Sequence, residues 1–376
     1  MNATPLRRPL LQVNVRLPSK QLRTQMQAIT VLGATLGLPG TATLLQFGPT
    51  PTRRDEIRAG IAATVVRPAG SPPWPTLIFM NGATRDGRTH PLVLRLGLAL
   101  ARIGRLVFIP DLPGIADGEL SPATLAGAVA FSEAAADAPE AAGGRVALAG
   151  VSVGGSLALL TSSDARLAQR VSTVGCVAPY SDLVKVMLLA TTGTYRDGDR
   201  AVPYSAPPYL RLGLARSLAA MLPPTQAAVG LCAELRTLDP ISASTHELPH
   251  GSFRAAGEDG ERLYELLQNT DPERFDQLYD ALPASIRKTA ETLSPLHAAA
   301  RLPDSVEIAT APRDTYFPVA ESRALAAAAP QLRLTVTSLL AHATPRLDRR
   351  YLPELAKLNG FFVRSLAACT DVVSKA

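Results

Sequence analysis

Arg145-Val146-Ala147-Leu148-Ala149-Gly150-Val151-Ser152-Val153-Gly154 is the stretch that decides how the rest of the chain is read. Arg145 to Ala149 is an apolar run of the length of a buried strand, and Ser152 to Ala168 reads as a helix. Between them stands Gly150-x-Ser152-x-Gly154. A strand that turns at once into a helix forces its apical residue into a strained conformation, and glycine on both sides avoids the clash there. The helix N-terminus then points free N–H groups and the positive end of its dipole at the Ser152 oxygen. Ser152 is thus the candidate nucleophile, and the N–H of Val153 is a candidate oxyanion donor.

The same rhythm runs on both sides of this stretch. Ile57 to Arg67 alternates and reads as a strand. Thr76 to Met80 is an apolar strand entering a tight turn at Asn81-Gly82, and Leu106 to Ile109 is another, stopped by Pro110. Leu92 to Ile103 and Ala123 to Ala136 read as helices between them. Val171 to Val177 follows as a fourth buried strand. Strands alternating with helices at this spacing predict an α/β fold with a mostly parallel, doubly wound sheet. After Asp182 the rhythm changes. Residues 183–295 show helical stretches such as Arg211 to Leu222 and Glu261 to Leu282, broken by Pro-rich turns, and no buried strand. Strand-like runs return at Ser305 to Thr310 and Leu332 to Leu340. The expected organisation is an N-terminal segment (1–55), a first part of the core (56–182), a helical lid insertion (183–295) and a second part of the core (296–376).

A serine hydroxyl is a poor nucleophile without a base. Of five histidines, His342 stands just past the last strand, where a parallel sheet gathers its functional loops. His90, His246, His250 and His297 read as structural or exposed. The base needs a carboxylate to hold its tautomer. Asp314 follows the Ser305–Thr310 strand, and Asp182 is the runner-up. Asp304 precedes its strand and falls at the wrong end of the sheet. A second oxyanion donor is expected in the turn after Met80, at the N–H of Ala83.

Taken together, the elbow, Asp314 with Pro318 behind it, and His342 resemble the α/β-hydrolase superfamily, in the chain order Ser, acid, His. Asn81-Gly82-Ala83-Thr84-Arg85-Asp86-Gly87 resembles that family's oxyanion loop, with Asn81 where many members carry His, and Pro110-Asp111-Leu112-Pro113-Gly114 resembles its next strand-end loop. The resemblance covers about 56–182 and 295–376. It implies a serine hydrolase that acts on an ester or related acyl compound through an acyl-enzyme, with no metal and no organic cofactor. It also implies that the insertion is a lid, for which Met187 and Leu188 are candidate substrate-binding residues. The alternatives are an acyltransferase using the same triad and a catalytically silent binding module on this fold.

Composition sets the remaining bounds. The chain has 376 residues, 47% hydrophobic and 19% charged, enough to bury a large core. Its net charge of +6 comes from basic residues scattered among acids, which excludes a nucleic-acid surface as the expectation. Cys176, Cys232 and Cys369 lie too far apart for a disulfide framework or metal site, so a reduced, cytoplasmic location is expected. Residues 28–47 carry no charge and follow Arg7, Arg8, Arg16, Lys20 and Arg23. They read as a helix packed on the domain, with a membrane anchor as the alternative.

Overall fold

A computed structural model describes residues 19–37, 50–198, 200–239, 248–342, 344–345 and 353–370. Its centre is an eight-stranded sheet. We number the strands β1 (Thr52–Arg58), β2 (Ile61–Arg67), β3 (Trp74–Met80), β4 (Leu106–Pro110), β5 (Ala141–Val151), β6 (Val171–Val177), β7 (Val306–Thr310) and β8 (Leu332–Val336). Their order across the sheet is β1-β2-β4-β3-β5-β6-β7-β8. β1 and β2 pair antiparallel, β2 runs antiparallel to β4, and every pair from β4 to β8 is parallel. β4 and β7 are buried along their whole length, as expected of strands covered on both faces.

The stretch read as one strand, Ile57 to Arg67, is a hairpin. Ala59 and Gly60 both take positive φ, 48° and 75°, which is the two-residue turn that suits the twist of paired strands. β1 was hidden because Arg53, Arg54, Asp55 and Glu56 give it no apolar signal. It is the exposed edge of the sheet, and charge there discourages pairing with another chain.

Helices cover both faces. One face carries α1 (Lys20–Leu36), α2 (Pro91–Arg102) and, from the far end of the chain, α13 (Leu355–Thr370). The other carries α3 (Pro122–Ala136), α4 (Val153–Ser162) and α12 (Val319–Ala328), with Phe131 of α3 set edge-on to Phe108 of β4. α1 starts at Ser19, whose hydroxyl accepts from the Leu22 N–H, and stops at Gly37 in a left-handed cap. Ala28, Val31 and Ala34 are fully buried against the domain. Of the uncharged segment 28–47, the part up to Leu36 belongs to this packed helix, and the residues from 38 lie outside the described ones. Among the described residues no helix is long and apolar enough to cross a membrane.

The insertion between β6 and β7 contains α5 (Leu183–Thr192), α6 (Pro208–Ala219), α7 (Gln226–Thr237), α8 (His250–Ala255), α9 (Glu258–Gln268), α10 (Phe275–Asp280) and α11 (Ala284–Thr292). It also holds a short antiparallel hairpin, Thr194–Asp197 with Arg200–Pro203, which its sequence did not reveal. Its two ends are tied together: Leu183 N–H donates to Ser294 Oγ at 2.8 Å, and Leu296 N–H to the Ser181 carbonyl at 2.9 Å. Buried Arg216 of α6 fastens it to the core, donating to the Asp117 carbonyl at 2.6 Å and within the insertion to the carbonyls of Leu235 and Leu238.

Candidate active site

At the C-terminal end of β5 the chain turns through Ser152, which takes φ 54° and ψ −129° before α4 begins. That conformation is costly for a residue with a Cβ and is held by its surroundings. The Ser152 N–H donates to the Val177 carbonyl of β6 at 2.8 Å, and the Ser152 carbonyl accepts from Gly155 N–H at 2.9 Å. The two motif glycines serve close approach. A Cβ on Gly150 would collide with the backbone of Gly154 and Gly155, and one on Gly154 with the carbonyls of Met80 and Asn81. Their absence lets α4 press against the end of β3, bringing the Asn81–Thr84 loop to the nucleophile. Gly82 is tight but less constrained, since its Cβ would lie 3.2 Å from the Val151 carbonyl oxygen and 3.3 Å from the Cβ of Ser152.

Val153 and Ala83 both border the cavity at Ser152. The first N–H groups of a helix have no partner within it, so that of Val153 is available to a ligand oxygen. Asn81 is buried, and its side-chain amide donates to the Gly87 carbonyl. That bond, with Gly87 N–H to the Thr84 carbonyl at 3.0 Å, folds the loop back on itself and fixes the position of Ala83.

His342 follows a two-residue strand, Leu340–Ala341, and is itself held at φ 59°. Its Nδ1 lies 2.8 Å from Asp314 Oδ1. The same Oδ1 accepts the backbone N–H groups of Tyr316 at 2.8 Å and Phe317 at 3.0 Å, while Oδ2 is buried with no protein partner. Asp314 and His342 are both almost fully buried. The rings of Tyr316 and Phe317 pack on the imidazole, with centroids 4.4 and 5.6 Å away. The Tyr204 hydroxyl, from just beyond the hairpin of the insertion, donates to the Asp314 carbonyl. Ser152 and His342 line one cavity of about 500 Å³, within the range of small-molecule sites.

The other candidates have other partners, although His90 also lines the cavity. The Asp182 carboxylate accepts from Val184 N–H at 2.9 Å and caps α5, so Asp314 alone of the two acids is hydrogen-bonded to His342. Asp304 is exposed. His90 caps α2, and His250 pairs with Glu261 and stacks on Tyr264. His297 sits in a short 3-10 helix (Pro295–Arg301), and His246 lies outside the described residues. Met187 and Leu188 do not line the cavity, contrary to expectation. Both are buried in the core, and Leu183 and Val186 of the same helix face the cavity instead. A run of apolar residues on α5 does not reveal which face turns toward the nucleophile.

Tyr204, Tyr209, Tyr316 and Phe317 carried no motif that singled them out. Tyr209 of α6 lines the cavity beside Ala83, and burial pushes its hydroxyl up to about 12, keeping it a hydrogen-bond donor at neutral pH. Among the described residues no group of His, Cys, Asp or Glu could hold a metal ion.

The strand order from β1 to β8 and the strained serine between β5 and α4 are those of the α/β-hydrolase fold, and the chain has that fold. Solved structures resemble it at low identity. Dipeptidyl peptidase 4 of Porphyromonas gingivalis is 13% identical with a TM-score of 0.48, matching 86% of this chain and 37% of its own, so the chain spans little more than a third of that protein. Est1E of Butyrivibrio proteoclasticus is 14% identical with a TM-score of 0.48 over 85% of this chain and 100% of its own. An esterase/lipase from an uncultured bacterium is 14% identical with a TM-score of 0.46 over 93% and 99%. No protein-family model matches the chain, and no curated protein matches it in sequence.

Proposed function

We propose that the protein is a serine hydrolase that cleaves a carboxylic ester or related acyl compound through a Ser152–His342–Asp314 triad. The observation that carries this reading is the strained Ser152, set at a helix N-terminus in the same cavity as a His342 whose Nδ1 is held by a buried carboxylate. The Asp314 bond leaves Nε2 of His342 as the basic nitrogen. In the proposed reaction Ser152 Oγ attacks the carbonyl carbon while His342 Nε2 takes the hydroxyl proton. The N–H groups of Val153 and Ala83 receive the charge that develops on the carbonyl oxygen. His342 then gives its proton to the leaving alcohol, and the acyl group remains on Ser152. Water, deprotonated by the same nitrogen, attacks the ester carbonyl and returns Ser152 and the free acid. The aromatic rings on His342 restrict water around the imidazole, which strengthens its bond to Asp314.

The test is covalent labelling followed by turnover. A fluorophosphonate should modify Ser152 and no other serine, and p-nitrophenyl acetate should be hydrolysed by the wild type with no acyl acceptor present. Ser152→Ala should lower kcat by something on the order of 10⁶. Absence of both labelling and hydrolysis in the folded protein would overturn the proposal.

A further inference from the structure

The cavity at Ser152 does not end at the insertion. It also runs behind the nucleophile, along the face of the sheet covered by α1, α2 and α13. Neighbouring residues of the two central strands show it. On the α4 face, Val146 and Leu148 of β5 and Val174 and Cys176 of β6 are at most 1% exposed. On the other face, Ala149 and Val151 of β5 and Gly175 and Val177 of β6 are only partly buried, although three helices lie over them. Central strands between helix layers are normally close-packed on both faces. Here the small side chain of Ala149 leaves a hollow that Leu96 and Leu100 of α2 and Phe362 of α13 roof over, while Ser365 and Phe361 stand close over Gly175.

The chemistry of this hollow selects its occupant. Among the described residues its lining carries no charged side chain. Its hydroxyls are already used: Ser365 donates to the Phe361 carbonyl at 2.9 Å, Thr35 to Val31 at 2.8 Å and Thr173 to Ser305 at 3.2 Å. A cavity without free polar partners neither holds ordered water well nor rewards a polar ligand. Its dimensions follow from the elements that border it. Val151 to Ala147 spans about 13 Å of strand, and Leu92 to Leu100 about 12 Å of helix. A tetrahedral carbon chain advances about 1.25 Å per bond, so this depth accepts roughly ten carbons in extended form.

We propose that this hollow is the acyl subsite: it takes the unbranched alkyl chain of an ester whose carbonyl sits at Ser152, and it sets the substrate class as medium- to long-chain acyl esters. The inference rests on the serine-hydrolase reading for the position of the carbonyl. The branch of the cavity under the insertion, bordered by Leu183, Val186, Tyr209 and Leu210, then receives the leaving alcohol.

The test fills the hollow from its roof, away from the catalytic loops. For p-nitrophenyl esters from acetate to dodecanoate, wild-type kcat/KM should climb with chain length to about ten carbons. Ser365→Phe should lower the decanoate-to-acetate ratio at least about tenfold. Leu96→Trp, on a different helix, should do the same and covers the case in which Ser365→Phe fails to fold. Leu210→Trp, under the insertion, should leave the ratio near the wild-type value. A second arm needs no turnover: Ser152→Ala protein should bind decanoate in calorimetry, and adding either filling substitution should abolish that binding. Decanoate binding lost on filling, with no ester hydrolysed, would sink the hydrolase reading and keep the subsite. Ester hydrolysis with an unchanged ratio in both filled variants, or with the ratio moved by Leu210→Trp alone, would sink the subsite and keep the hydrolase.

Discussion

Asp314→Asn separates two jobs that a triad carboxylate does, because Oδ1 alone makes its contacts. Oδ1 accepts from His342 Nδ1, Tyr316 N–H and Phe317 N–H, and Oδ2 has no protein partner. An asparagine whose carbonyl oxygen takes the Oδ1 position keeps all three acceptor contacts, and with them the tautomer of His342. What it lacks is the negative charge facing the imidazolium. Two unit charges about 4 Å apart interact by about 4 kcal/mol at an effective dielectric near 20. After allowance for the neutral hydrogen bond that stays, the loss is about 3 kcal/mol, or roughly 10²-fold in kcat. The replaced Oδ2 becomes a buried amide with no acceptor, at a cost of about 1–3 kcal/mol of stability. Steady-state hydrolysis of p-nitrophenyl acetate and a denaturant midpoint measure the two effects. A loss approaching that of Ser152→Ala would mean the amide has turned its NH₂ to His342, which would refute the shared-acceptor argument. Activity within about threefold of wild type would refute the charge argument.

Other outcomes follow from the same structure. Ser152→Gly should abolish turnover yet raise stability by about 1 kcal/mol, since glycine accepts φ 54° and ψ −129° without strain; a lower denaturant midpoint would contradict this. Burial holds the Glu321 carboxyl above its ordinary 4.5 and the Asp182 carboxylate beside it adds to the rise, although it accepts from Ser181 and faces Lys185. Its folded form binds the proton more tightly than the unfolded chain, so stability should fall as pH rises from 4.5 through the raised value. Glu321→Gln cannot ionise and should remove that slope, whereas parallel stability curves for the two proteins from pH 4 to 8 would exclude the effect. Burial pushes all three thiols up, but Cys176 and Cys369 are buried while Cys232 is only half-buried and open to a reagent. A thiol reagent should therefore modify one cysteine, Cys232, in the native protein and the other two only on unfolding, and mass spectrometry reads which.

The candidate site was legible because it depends on local geometry. Gly150 and Gly154 mark a turn that only small residues permit, and Asp314 and His342 follow strands whose apolar runs are unmistakable. β1 was not legible, because a solvated edge strand has no apolar face and Ala59-Gly60 is a weak turn signal beside Asn-Gly or Asp-Gly. Glu261 to Leu282 divides into parts of α9 and α10 at Asn269 to Arg274, where Asp271-Pro272 carries the signal that the helical spacing on either side obscures. The error at Met187 and Leu188 has another source. Helical periodicity fixes which residues share a face but not what that face meets, and α5 meets the core with one side and the cavity with the other. The hollow behind Ser152 is least visible of all, since its walls come from α1, α2 and α13, segments at opposite ends of the chain.

The Tyr204 hydroxyl joins the insertion to the backbone of Asp314, the residue hydrogen-bonded to His342. The helical insertion is therefore no detachable module. Its two ends meet at Ser181 and Ser294, which invites the idea of exchanging it for that of another protein to import a new specificity. Such a chimera would sever the tether on Asp314 and the contact that Arg216 makes to the Asp117 carbonyl of the core. Transplanted specificity would arrive with a loosened acid loop, and a graft that carried the Tyr204 hairpin along with the helices would outperform one that did not.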